Sequence, residues 1–262
     1  MNFLKKKQKT AETGMINQNI VITMAGRGSR FYEAGYAMPK YEIMVHGHSL
    51  FQWSMWSLKN FVTPGSRLIY VCLAENHSAD YVYGQCRILG LKDVHIVELD
   101  QVTDGQATSA YMSRALWQPN APLLIYNIDT YVNPNVLQPA QIRQGSDGWI
   151  PCFGAAGDHW SFVKIGEDGW ATDVTEKQRI SDHASIGLYW FSRAEEYVKS
   201  YENFFADQAN LVRGERYVAP MYKSILKTGG HISVTDLPTK DVHVLGTPNE
   251  LKQFMQKTIT KF

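Results

Sequence analysis

Short apolar runs at residues 20–24, 68–73, 94–99 and 123–128 alternate with segments of helical periodicity at 50–62, 78–89 and 107–117. Parallel strands can be joined only by a crossover long enough to travel back over the sheet face, so this alternation implies βαβ units and a largely parallel sheet. In such a sheet, ligands bind beyond the carboxyl ends of the strands. The first helix is expected to open at Ser49, whose hydroxyl can cap it, with Phe51, Met55, Leu58 and Val62 on one face.

The second half is patterned differently. Short β segments are expected at 149–153, 162–165, 171–175 and 185–191, separated by turns such as Glu167-Asp168-Gly169. Helical periodicity returns at 193–205 and 216–226, strand character at 232–234 and 242–244. A last helix opens at Thr247-Pro248, proline being favoured in a first helical turn. Neither an internal repeat nor a Pro/Ser-rich linker divides the halves. The expected organisation is one domain over 19–262, with halves at 19–130 and 131–262 and the site between them. Residues 1–18, with Lys5, Lys6, Lys7 and Lys9 but no following apolar stretch, are expected to be a disordered extension rather than a signal peptide, with Met15 an alternative start.

The first apolar run leads straight into Ala25-Gly26-Arg27-Gly28-Ser29-Arg30, and Pro39-Lys40 follows in the same long connection. Two glycines let a backbone approach a ligand closely, and converging N–H groups suit phosphate oxygens. Arg27, Arg30 and Lys40 supply the cations a polyphosphate requires. The loop is not a Walker A sequence, because no Gly-Lys-Ser/Thr follows at the required distance. Nor is it a dinucleotide fingerprint, which needs a third glycine and a helix directly after it.

Other classes are disfavoured by composition. A net charge of +1 argues against a general nucleic-acid binder. No run approaches the ~20 apolar residues of a membrane span. Three cysteines without metal or disulfide spacing fit a reduced, cytoplasmic protein. The eight histidines show no ligand spacing, and there is no Gly-x-Ser-x-Gly elbow.

Three further segments bear on chemistry. Tyr126-Asn127-Ile128-Asp129 ends a strand in a carboxylate, placed either to tether a Mg²⁺ ion on a triphosphate or to cap the next turn. Asp100-Gln101-Val102-Thr103-Asp104-Gly105-Gln106-Ala107 joins a strand to a helix through a turn. Glu176-Lys177-Gln178 precedes Ala184-Ser185-Ile186-Gly187-Leu188-Tyr189-Trp190-Phe191, and taken alone the Glu-Lys pair reads equally as surface charge.

Together these segments, in this order from about residue 20 to 251, resemble the sugar-phosphate nucleotidyltransferase (NDP-sugar pyrophosphorylase) superfamily. Its members open on a strand, Gly-x-Gly-Thr/Ser-Arg and a later Pro-Lys. The resemblance implies a Rossmann-like three-layer α/β/α sandwich with a mostly parallel mixed central sheet and a small β-rich acceptor-binding lobe. It implies a Mg²⁺-dependent enzyme that transfers a nucleoside monophosphate from a triphosphate to a phosphorylated small molecule and releases pyrophosphate. By the same resemblance Ala25, Gly26, Arg27, Gly28, Ser29, Gln101 and Gly105 bind the nucleotide, and Asp129 holds the metal. Arg30, Lys40, Asp129 and Lys177 are the expected catalytic set, with Glu176 and Lys177 on the acceptor.

Two departures stand out. Gln178 replaces the proline of the usual Glu-Lys-Pro, and Val244 stands where relatives carry the second metal-binding Asp of Asp-x-Gly-Thr-Pro. Strand alternation turns Asp241 and His243 away from the face that Val244 uses, which leaves the second ligand open. Asn-x-Asp rather than Asp-x-Asp at 127–129 disfavours a nucleotide-sugar glycosyltransferase. Tyr41-Glu42-Ile43 and the stretch from Arg216 to Tyr222 resemble a capsular-polysaccharide branch that includes CTP:phosphoglutamine cytidylyltransferases. CTP with a phosphoglutamine-like acceptor is therefore the first expectation. Sugar-1-phosphate cytidylyl, thymidylyl or uridylyl transfer, or a non-catalytic nucleotide-sugar-binding homologue, are the alternatives. Homo-oligomerisation stays open.

Overall fold

The computed structural model describes residues 17–259. Most of the expected N-terminal extension, including Met15, lies outside them. The first strand nevertheless opens at Gln18, inside the span assigned to that extension, because Asn19 is fully buried and its side-chain amide bonds to the Gln118 and Pro122 carbonyls.

The chain runs β1 (Gln18–Thr23), α1 (Ser29–Glu33), β2 (Met44–Val45), β3 (His48–Ser49), α2 (Leu50–Ser57), β4 (Ser66–Leu73), α3 (Ala79–Ile88), β5 (Val94–Leu99), α4 (Gln106–Met112), β6 (Leu123–Asn127) and β7 (Thr130–Val132). It continues through β8 (Gly148–Gly154), β9 (Ser161–Ile165), β10 (Ala171–Glu176), β11 (His183–Ser185), β12 (Leu188–Phe191), α5 (Ala194–Phe204), α6 (Val218–Lys227), β13 (Ile232–Leu237), β14 (Val242–Val244) and α7 (Pro248–Met255).

The large mixed sheet has the order β10-β9-β11-β8-β12-β6-β1-β4-β5, with β13 parallel to β8. Strands β5, β4, β1 and β6 run parallel to one another. β12 runs antiparallel to both β6 and β8, so the second-half strands extend the same sheet. The inner parallel strands β1, β4 and β6 are buried on both faces, which is why they read as apolar runs, whereas the edge strand β5 is only partly buried and carries His95 and Glu98. Alternate residues feed two cores. Val21, Ile69, Val71 and Ile125 pack with Ala107, Tyr197, Met221 and Tyr222 of α4, α5 and α6. Ile20, Ile22, Tyr70 and Tyr126 pack with Phe51, Met55, Val82 and Cys86 of α2 and α3. The α/β/α layering follows directly from this period of two.

Several expected elements appear with altered ends. Ser49 does cap α2, its hydroxyl accepting the Gln52 N–H while the Gln52 side chain returns to the Ser49 N–H. A short helix, α1, follows Gly28 directly, contrary to the expectation of none. It stops after five residues, too short to print a periodicity. The run at 185–191 divides into β11 and β12 around Gly187. All three cysteines are buried and free. Among the described residues no helix is long and apolar enough to cross a membrane.

Candidate active site

From β1 the chain moves outward through β4 to β5, then returns to place β6 on the other side of β1. The crevice where strand order reverses opens beyond the carboxyl ends of β1 and β6, the position at which open α/β sheets bind ligands. Both motifs that end in that crevice carry charge. The loop after β1 holds Gly26 to Arg30, and the segment after β6 ends in Asp129.

Lys40 Nζ donates to Asp129 Oδ2 at 2.7 Å, with both side chains roughly four-fifths buried. Gly28, Ser29, Arg30, Lys40, Asp129 and Gly246 line one small cavity of about 240 Å³. Thr23, Ala25, Gly26, Gly105, Gln106 and Tyr217, with Lys40 and Asp129, line an adjoining cavity of about 380 Å³. A third of about 290 Å³ carries Arg30 and Asp129 at one end and Trp160, Ser161, Glu176, Tyr189 and Tyr217 at the other. Arg30, Lys40 and Asp129, all named from sequence, therefore meet where these three cavities share lining residues. Arg27 stands apart, exposed over a surface depression with Tyr32, Glu33, Glu75 and Asn76, which Ser29 also borders.

Of the two glutamines in the loop before α4, the one expected to read the base is at the rim. Gln101 is exposed and lies outside the residues lining these cavities. Gln106 lines two of them, and its amide donates to Thr23 Oγ1 at 3.1 Å and to Asn127 Oδ1. Gly105 does reach the cavity wall and has a structural reason to be glycine. Its φ of +138° belongs to a region that side chains exclude, and its Cα faces the Arg216 backbone. Arg216 N donates to the Asp104 carbonyl at 2.6 Å, Ala107 N donates to the Arg216 carbonyl at 3.0 Å, and the Arg216 guanidinium pairs with Asp104 at 3.0 Å.

On the side expected from sequence to face the acceptor, Ser161 donates to Glu176 and lies 3.1 Å from the Tyr189 hydroxyl. Burial pushes the Glu176 carboxyl above its ordinary range, against the lowering effect of the Ser161 bond and Lys177. Lys177 adopts φ +54° and is held by its N–H on the Trp160 carbonyl at 2.8 Å. A non-glycine residue there carries a strain of order 1 kcal/mol, so the turn aims its side chain at some cost. That ammonium sits 4.4 Å from the centre of the Tyr217 ring and bonds the Tyr217 hydroxyl. Burial and the neighbouring Glu215 raise the Tyr217 phenol.

At the third motif the alternation argument holds. Val244 faces the cavity beside Thr130. His243 turns the other way, stacked on Tyr131 and beside Phe254, while Asp241 accepts from the Asn133 amide. Among the described residues no three metal-binding side chains converge. The donor set still fits one hard divalent cation. Asp129 already carries a cationic partner in Lys40, its carboxylate opens to the cavity, and Gly246 leaves the space beside it clear.

Trp160, Tyr189, Tyr217 and Gln106 were not singled out from sequence. Only Gln106, adjacent to a glycine at a helix start, gave a local signal.

No protein-family model matches the chain, and no curated protein matches it. Among solved structures, it is similar to a nucleoside-diphosphate-sugar pyrophosphorylase from Vibrio cholerae RC9, with 32% identity and a TM-score of 0.83 over 91% of this chain and 100% of that one. It is also similar in fold to an inositol-1-phosphate CTP transferase from T. maritima, with 16% identity and a TM-score of 0.70 over 95% of this chain and 99% of that one.

Proposed function

Since the chain belongs to the nucleotide-sugar pyrophosphorylase family of nucleotidyltransferases, we propose that it transfers CMP from CTP to a phosphorylated small molecule, phosphoglutamine or a close analogue, in capsular polysaccharide synthesis. The observation that carries this reading is the meeting of Arg30, Lys40 and Asp129 at the end of β1 and β6, across one cavity from Glu176, Tyr217 and the Lys177 that rests on it.

The chemical problem is to bring two polyanions together and let pyrophosphate depart. An acceptor phosphate oxygen attacks the α-phosphorus, and the bond from that phosphorus to the β-phosphate bridging oxygen breaks. The acceptor phosphate is already ionised near pH 7, so alignment and charge neutralisation matter more than proton removal. Gly26, Gly28 and Ser29 offer backbone N–H groups to the triphosphate, and Arg30 and Lys40 offset the charge that accumulates on the leaving pyrophosphate. Mg²⁺, held by Asp129, supplies Lewis-acid neutralisation of the phosphate oxygens when bound. Lys177 leaves the Tyr217 ring to hold the acceptor phosphate in line, and Glu176 with Ser161 contacts the acceptor body.

A non-catalytic nucleotide-sugar-binding homologue is the second reading, favoured by Val244 at the second carboxylate position. Pyrophosphate release separates the two. The protein is incubated with Mg²⁺, each of CTP, dTTP, UTP, GTP and ATP, and an acceptor panel including phosphoglutamine and sugar-1-phosphates. Release with CTP and phosphoglutamine supports the proposal, and release with a sugar-1-phosphate reassigns the acceptor. Nucleotide binding without release across the panel favours the non-catalytic homologue. Asp129→Asn is expected to lose turnover by two orders of magnitude or more at unchanged fold; retained activity removes Asp129 from the site.

A further inference from the structure

Six residues beyond Val244 the chain carries another carboxylate, Glu250. Thr247 caps α7, its hydroxyl accepting the Glu250 N–H at 3.2 Å, and this first turn points the Glu250 side chain back toward the end of β14. The same hydroxyl donates to Glu250 Oε2 at 2.9 Å, which fixes the carboxylate's orientation. Glu250 lines the cavity that holds Asp129, Val244 and Gly246.

Gly246 measures how close the two acids come. A methyl carbon placed on it would stand 3.1 Å from Asp129 Oδ2 and 3.7 Å from Glu250 Oε2, so the sum of those distances bounds the gap between the oxygens at about 6.8 Å. A side chain at Gly246 would crowd Asp129 Oδ2, so the glycine keeps that oxygen clear. The Leu245 N–H, donating to the Asp129 carbonyl at 2.8 Å, pins this turn to the end of β6.

We propose that Glu250 is the second protein ligand of the divalent cation, paired with Asp129 across Gly246. This inference rests on the metal-dependent reading of the site given above. Mg²⁺ is commonly held by one or two carboxylates together with substrate phosphates and water, so two acids facing one cavity suffice. A helix-capping role alone explains the Thr247 bond but gives no reason for Glu250 to share its cavity with Asp129.

The test is Mn²⁺ binding to the full chain, followed by loss of the free-ion paramagnetic resonance signal, with and without CTP. Glu250→Gln keeps an acceptor for the Thr247 hydroxyl and removes only the charge. It is expected to weaken Mn²⁺ by about tenfold or more, the scale on which even residues supporting a metal site act, with the metal-free melting temperature unchanged. Adding Val244→Asp to that variant is expected to restore affinity. If Asp129→Asn weakens Mn²⁺ but Glu250→Gln leaves it unchanged, Glu250 is a cap only and this inference fails while Asp129 keeps its role. If neither variant changes Mn²⁺ binding, the metal reading of Asp129 fails as well.

Discussion

Replacing Gly105 by alanine is expected to break the loop that closes the nucleotide side of the crevice. At φ +138° and ψ +171° the backbone lies in a region nearly confined to glycine, where a side chain costs about 1–3 kcal/mol. The added carbon would stand 2.3 Å from the Arg216 carbonyl oxygen and 2.7 Å from its nitrogen, both backbone atoms that cannot rotate away. Separating the two segments sacrifices the bonds from Arg216 N to Asp104 and from Ala107 N to Arg216, each worth about 1 kcal/mol. The combined loss is about 3–5 kcal/mol, limited by what it takes for the loop to come apart locally. Reversible urea denaturation of Gly105→Ala reads the loss, and a CTP titration of the folded variant is expected to show weakened binding in parallel. A destabilisation under about 1 kcal/mol would show that the two backbones do not pack as described, and unaltered CTP affinity would remove this loop from the nucleotide site.

Two further outcomes follow from the geometry. Lys177→Ala is expected to raise the acceptor KM by about tenfold or more with triphosphate binding intact, on the scale of one charge-assisted phosphate contact; steady-state kinetics in both substrates check it, and a loss confined to CTP would reverse its assignment. Burial, with the Lys257 ammonium 3.1 Å from Nδ1, pushes the His243 imidazole down to about 4. An unfolded histidine titrates near 6.5. Stability from neutral His243 is therefore full above pH 6.5 and is lost as pH falls toward 4, by about 3 kcal/mol at most. His243→Asn is expected to flatten that part of the stability–pH curve, measured by urea midpoints between pH 4 and 7.

What the sequence revealed follows from how local each signal is. β1, β4 and β6 were legible because burial on both faces leaves apolar runs, β5 because only His95 and Glu98 interrupt its apolar residues, and α2 because Ser49 can cap a run of helical spacing. α1 was not, since it spans one turn and its N-cap is Gly28, with no side-chain signature. The division of 185–191 depends on Gly187 at φ +82° facing the Asn127 side chain, a contact between distant residues. The crevice cations were visible as a motif, whereas Trp160, Tyr189 and Tyr217 become cavity walls only when β9, β12 and the loop before α6 are brought together. Gln106 displaced Gln101 from the cavity because the direction of a loop side chain depends on a backbone angle that composition does not encode.

The ladder from β6 to β12 pairs Leu188 with Tyr126, Tyr189 with Ile125, Trp190 with Leu124 and Phe191 with Leu123. It joins the half proposed to hold the nucleotide and the half proposed to hold the acceptor within one continuous sheet. In the reaction proposed above, the spacing between the two substrates is set by how these strands register. A slip of one residue along β12 would send Tyr189 to the opposite layer and empty its place beside Ser161. The alignment of β12 on β6 is thus what fixes the reach of the proposed reaction.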